Sequence, residues 1–99
     1  MEQQIHRFTW RGIEIEARYC PLRWGAIAHL EIESINPPHA PLPVSETGYR
    51  SYFHEPGSIE RHGGDVVAIV AEWLDALASE PKWQRFLREQ KARRQYELF

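Results

Sequence analysis

The sequence predicts an α+β fold: an antiparallel meander of three or four strands followed by two C-terminal helices, one of them packed on the sheet. Three observations carry this. Apolar and polar residues alternate through much of the first 35 positions, the period of strands with one buried face. Prolines and glycines then crowd the middle of the chain. From Asp65 the apolar spacing lengthens to that of a helix.

Residues 4–10 (QIHRFTW) form the first strand, with His6, Phe8 and Trp10 on one side. Arg11-Gly12 punctuates it, and Gly12 supplies the positive φ that a tight hairpin needs. Residues 13–19 (IEIEARY) point Ile13, Ile15, Ala17 and Tyr19 one way and Glu14, Glu16 and Arg18 the other. Pro21 to Gly25 (PLRWG) is expected as a longer turn. A third strand over residues 26–35 turns Leu30 and Ile32 inward and Glu31 and Glu33 outward, so the sheet keeps a solvated acidic face. Four prolines between Pro37 and Pro43 make an extended connector, because proline cannot donate to a ladder. Residues 47–53 (TGYRSYF) are the fourth-strand candidate, and Ser58 is positioned to cap one helical turn before Gly63-Gly64.

Asp65 follows these glycines as the N-cap of the strongest helix. Val66, Val70, Trp73, Leu74 and Leu77 share its apolar face, and Trp73 and Leu74 are expected against Ile13, Ile15, Leu30 or Ile32. Pro81 suits the first turn of a second helix, capped by Ser79 or Glu80, with Trp83, Phe86 and Leu87 as its short apolar stripe. After Leu87 the segment REQKARR is polar apart from one alanine. A single domain over residues 1–94 and a linear motif over residues 95–99 follow from this pattern.

With 99 residues, 42% apolar and 26% charged, the chain has the composition of one small globular domain and not of a disordered segment. Cys20 is the only cysteine, which excludes an intrachain disulfide and a multi-thiolate zinc site and fits a reducing compartment. The N-terminus has no apolar run of a secretory signal, and no segment approaches the length of a membrane span. A cytoplasmic protein is the expectation. The net charge of −2 conceals an asymmetry. From Pro81 to Phe99 six basic side chains face two acidic ones, giving +4; the other eighty residues carry six basic and twelve acidic groups, giving −6.

Few residues suggest chemistry. His54 and His62 with Glu55 and Glu60 are the only histidine–carboxylate cluster, and their spacing is not that of a metal site on one helix. No nucleophile elbow, phosphate-binding loop or Cys/His dyad is present; Cys20 reads as a packed residue. No metal, cofactor or enzymatic activity is expected. Within residues 46–53 (ETGYRSYF), Tyr49 and Phe53 are expected to pack, leaving Arg50 and Tyr52 as surface contacts. The cations Arg85, Arg88, Lys91, Arg93 and Arg94 offer contacts to nucleic acid or to an acidic partner, the alternative being a solvated helix face.

The C-terminal residues Gln95-Tyr96-Glu97-Leu98-Phe99 resemble the bacterial sliding-clamp-binding motif, a Gln separated by two residues from a Leu-Phe pair. Tyr96 stands where the family commonly has an aliphatic residue. The resemblance implies a free, extended tail in which Gln95, Tyr96, Leu98 and Phe99 contact the clamp, Leu98 and Phe99 in an apolar pocket and Gln95 at its rim. The alternative is a tail folded back onto the core. The string from Glu46 to Leu77 is similar to small bacterial proteins that accompany plasmids and integrative elements, which implies a mobile-element setting. Three functions are therefore expected in competition. The first is a non-enzymatic protein-interaction protein docking to the replication clamp. The second is an inhibitor, of the anti-CRISPR or anti-restriction kind, whose Glu14, Glu16, Glu31 and Glu33 mimic nucleic-acid charge. The third is a nucleic-acid binder using a single basic helix stripe. The oligomeric state is left open.

Overall fold

The computed structural model describes the backbone of residues 3–97 and the side chains of residues 3–93. Four strands, β1 (Gln4–Trp10), β2 (Ile13–Arg23), β3 (Ile27–Asn36) and β4 (Tyr49–His54), form one antiparallel sheet in sequential order. Three helices follow, α1 (Ser58–Arg61), α2 (Val66–Ala78) and α3 (Pro81–Glu97). The α+β meander expected from the alternation is the observed fold.

The core lies on one face of the sheet. Trp10, Ile15, Ala17, Tyr19, Ala28, Leu30 and Ile32 are buried there beneath Val66, Val70, Leu74 and Ala78 of α2. Those four α2 residues recur every fourth position and so occupy one helix face. The Asp65 carboxylate accepts a hydrogen bond from the Ala68 amide (3.0 Å), satisfying a donor that the helix start leaves unpaired. Leu42 from the proline-rich connector, Ile59 from α1 and Trp83 from α3 close the periphery. Leu74 is fully buried, while Trp73 is only partly so. Helix α2 packs chiefly over β1 and β2, which leaves both faces of β4 open to solvent.

Three details depart from the sequence reading. Strand β2 does not end before Pro21 but runs to Arg23. A bulge sets Pro21-Leu22 opposite the single residue Ala28, and a bulge is where a strand tolerates a proline. The turn contracts to Arg23–Ala26, closed by the Ala26 amide on the Arg23 carbonyl (3.1 Å), with positive φ at Trp24 (56°) and Gly25 (68°). At α1 the cap is Gly57, with φ 89°, and not Ser58. Ser79 closes the C-terminus of α2, and the Glu80 carbonyl receives the first amides of α3, those of Trp83 and Gln84.

Among the described residues, helix α3 is anchored chiefly by its first two turns. Trp83 and Phe86 stack at 5.1 Å, and the Gln84 side-chain amide donates to the Ala78 carbonyl (2.8 Å). From Leu87 to Arg93 every side chain is exposed except the half-buried Gln90. The helix nevertheless continues unbroken to Glu97, across the 94/95 position at which the sequence places the end of the domain.

Candidate functional site

Among the described residues, the face of the sheet opposite α2 carries no helix, and its residues sort into two clusters. The first is ionic. Glu14, Glu16, Glu31 and Glu33 do converge there, as the alternation predicts, but Arg7 and Arg18 stand among them. Arg18 reaches Glu16 (2.6 Å), Glu33 (3.0 Å) and Glu31 (3.4 Å); Arg7 reaches Glu16 (3.1 Å) and Glu14 (3.8 Å). Burial works against the Arg18 charge, yet the surrounding carboxylates outweigh it and raise its pKa. The hydrogen bond from Arg18 is the main cause that holds Glu16 below the usual carboxylate range. Tyr49 donates to Glu31 (2.6 Å), which lowers the Glu31 pKa and raises that of the phenol. The acidic face is thus a paired ladder and not an unscreened anionic surface.

The second cluster is aromatic and sits at the β2–β3 turn. His29 is 4% exposed and stacks under Phe53 at 4.2 Å. Arg23 approaches its Nδ1 at 2.6 Å, and Ser51 Oγ lies 2.7 Å from Nε2. A guanidinium only donates, so Nδ1 accepts, and the neutral ring carries its proton on Nε2 and donates to Ser51. Glu31 approaches Nδ1 no closer than 3.9 Å. A Ser–His–carboxylate trio is present in outline, but its tautomer is the reverse of what a base activating a serine needs. Burial lowers the His29 pKa; Glu31 opposes the shift, and the charges of Arg23 and Arg18 add to it. On this support Phe53 stacks with Trp24 at 6.2 Å, and Arg23 lies 4.8 Å over the Trp24 ring. Trp24 is 73% exposed and Phe53 47%. A bulky residue at positive φ is an uncommon, strained placement, and such placements cluster at functional sites. Arg23 pairs with no carboxylate among the described residues.

The family model for the KlcB third domain matches residues 3–83. The chain belongs to the KlcB third-domain family. The match spans the whole sheet, the Trp24 cluster and α2, and it ends at Trp83, before the exposed part of α3. No curated protein and no solved structure matches the chain.

Within this fold the other sequence candidates fall as follows. The phase of β4 is inverted relative to expectation. Tyr49 and Phe53 lie on the open face, paired across from Glu33 and His29, and both are substantially exposed instead of packed. Arg50 and Tyr52 sit on the α2 side; both are exposed, with Tyr52 tilted against Trp73 at 5.6 Å. The inversion arises because β3 and β4 pair with Leu30 opposite Tyr52, so the inward face of β3 dictates that of β4. Lys82, Arg85, Arg88 and Lys91 follow the i+3 row of α3, which turns by about 60° per step, so they wind round the helix and form no single stripe. Arg93 is exposed. The side chains of Arg94, Gln95 and Tyr96, and Leu98 and Phe99 altogether, lie outside the described residues; the backbone of Gln95, Tyr96 and Glu97 belongs to α3. Among the described residues no group of His, Cys, Asp and Glu is arranged to hold a metal, and no helix is long and apolar enough to cross a membrane. His54 instead bonds Ser58 (2.8 Å), and His62 bonds the Ser58 carbonyl (2.7 Å). Cys20 is buried on the open face, across from His29.

Proposed function

We propose that this domain is a non-enzymatic, cytoplasmic protein-binding module whose recognition surface is the Trp24–Phe53–Arg23 platform. The observation that carries the reading is Trp24 itself: an exposed indole held at positive φ and fixed by Phe53 and Arg23. Trp and Arg dominate protein-binding hot spots, and a pre-positioned anchor lowers the entropic cost of association. The partner chemistry that fits is a carboxylate for Arg23 beside an apolar or aromatic side chain for the ring pair. The mobile-element setting implied by Glu46–Leu77 is part of the same reading and makes a bacterial host protein the expected partner class.

The C-terminal resemblance supports a second contact. Helix α3 turns its side chains to solvent from Leu87 to Arg93, Gln90 excepted, so the described residues just before the motif offer it no apolar surface. Engaging an extended-peptide site would require its last turn to unwind. Acidic mimicry has less support, because Arg7 and Arg18 neutralise part of the glutamate ladder. Nucleic-acid binding through α3 has less support because its cations wind round the helix.

The test is a paired capture from bacterial extract, followed by direct titration of what is captured. Trp24→Asn should abolish binding to the body's partner while truncation after Arg94 preserves it. The same truncation should abolish binding of purified sliding clamp, which Trp24→Asn should leave intact. Because Asn-Gly is the favoured pair for a turn with two positive φ angles, Trp24→Asn should leave the melting temperature unchanged or raise it. A partner bound equally by Trp24→Asn would overturn the platform reading.

A further inference from the structure

We propose that two copies of this chain associate edge to edge through β4, joining their sheets into one eight-stranded antiparallel sheet. Strand β4 is an outer strand, and every residue from Tyr49 to Phe53 is exposed. Among the described residues, no loop or helix backbone bonds to Tyr49–His54 apart from the β3 ladder. The strand has no proline, no lysine and no bulge, and Arg50 is its one charged side chain.

The occupant follows from register. Residues directly opposite in an antiparallel pair point to the same face, so a β4–β4 pairing must match open-face Tyr49, Ser51 and Phe53 with one another and Arg50, Tyr52 and His54 with one another. Full overlap of the six residues sets Tyr49 against His54 and violates this rule. Two near-complete registers obey it. Centring on Tyr52 sets Arg50 against His54 of the second copy and Tyr49 against Glu55. Centring on Ser51 sets Tyr49 against Phe53 and Arg50 against Tyr52, twice each about the two-fold axis, with Ser51 against Ser51. Those are aromatic–aromatic and cation–aromatic pairs, the favourable cross-strand combinations. Arg50 pairs with no carboxylate of its own chain among the described residues, so its charge is available to the Tyr52 ring. At the opposite edge, full overlap of β1 about its midpoint sets Arg7 against Arg7. A second copy of this chain therefore fits β4 through its own sequence, as an isologous interface requires.

Sedimentation of the full chain across a concentration series tests the proposal. The mass should rise from monomer to twice that value. Tyr52→Arg, which sets a second guanidinium against Arg50 of the other copy, should return the protein to monomer. Arg50→Glu added to Tyr52→Arg should restore the dimer, because the carboxylate introduced in one copy then faces the guanidinium introduced in the other. Only the Ser51-centred register provides that rescue. Ser51→Cys should form a covalent dimer on mild oxidation, whereas Thr9→Cys on the opposite edge should not. A chain monomeric at millimolar concentration, a double variant that stays monomeric while folded by circular dichroism, or cross-linking at Thr9→Cys in place of Ser51→Cys would overturn it. Trp24 lies outside β4, so Trp24→Asn should leave the mass unchanged, and this variant distinguishes the dimer from the recognition platform although Phe53 belongs to both.

Discussion

Two turns of this molecule share a backbone and differ in use. Trp10–Ile13 and Arg23–Ala26 each place a non-glycine residue and then a glycine at positive φ, 47° and 81° in the first, 56° and 68° in the second. In the first, the tryptophan sits in the strand. Trp10 is 6% exposed, its Nε1–H donates to Asp75 of α2 (2.9 Å), and Arg11 lies over its ring while pairing with the same carboxylate (3.3 Å). In the second, the tryptophan occupies the strained position itself and faces water. The same ingredients, Trp, Arg and Gly, fasten the sheet to its helix at one turn and are left open at the other. A tight reversal at Arg23–Ala26 does not by itself call for a Trp there.

The two turns should differ most in stability. Trp10→Ala should cost about 3–5 kcal/mol in chemical denaturation, from lost burial and the cavity left behind, enough to threaten a domain of this size. The corresponding change at Trp24 should fall within about 1 kcal/mol. A large loss at Trp24 would make the second turn structural as well. Asp75→Ala should cost about 1–2 kcal/mol by orphaning the Trp10 indole and releasing Arg11, so its effect should largely vanish when Trp10 is already replaced.

The smallest effect concerns His29 beneath the platform. Its folded pKa lies below its ordinary value of 6.5, so the unfolded chain binds the extra proton first. Stability from this group is complete above pH 6.5 and declines as pH falls from there toward the folded pKa. His29→Gln should flatten that limb of a melting-temperature profile. Glu16 and Glu31, whose pKa values are lowered, act in a more acidic window, below their ordinary 4.5; His29 is the smallest of the causes acting on Glu31 and none of those acting on Glu16. An unchanged profile for His29→Gln would show that His29 binds its proton equally in the folded and the unfolded chain.

What the sequence discloses depends on how local the cause is. The alternation of β1 to β3, the Arg11-Gly12 turn and the Asp65 cap are set by neighbouring residues and are legible. Pro21 reads as a strand end because only a bulge, which depends on pairing with β3, lets the ladder pass it. The segment YRSYFH carries aromatics at positions 49, 52 and 53, so no period fixes its face; β3 does. The platform was hidden for the same reason. Trp24 looks like loop composition, and His29 looks like one more outward residue before Glu31, until the hairpin and β4 bring Phe53 over them. One signal was present all along: a tryptophan immediately before a glycine between two strands.

The distribution of tryptophans also makes the chain its own optical probe. Of its four indoles, Trp10 and Trp83 are buried, Trp73 is half-covered and Trp24 alone is largely in water. The red edge of the intrinsic fluorescence and the fraction reached by a soluble quencher therefore report on Trp24. A ligand that covers the ring should shift that emission to the blue and protect it from quenching, with no label attached. A ligand at the far end of α3 should leave both readings where they were.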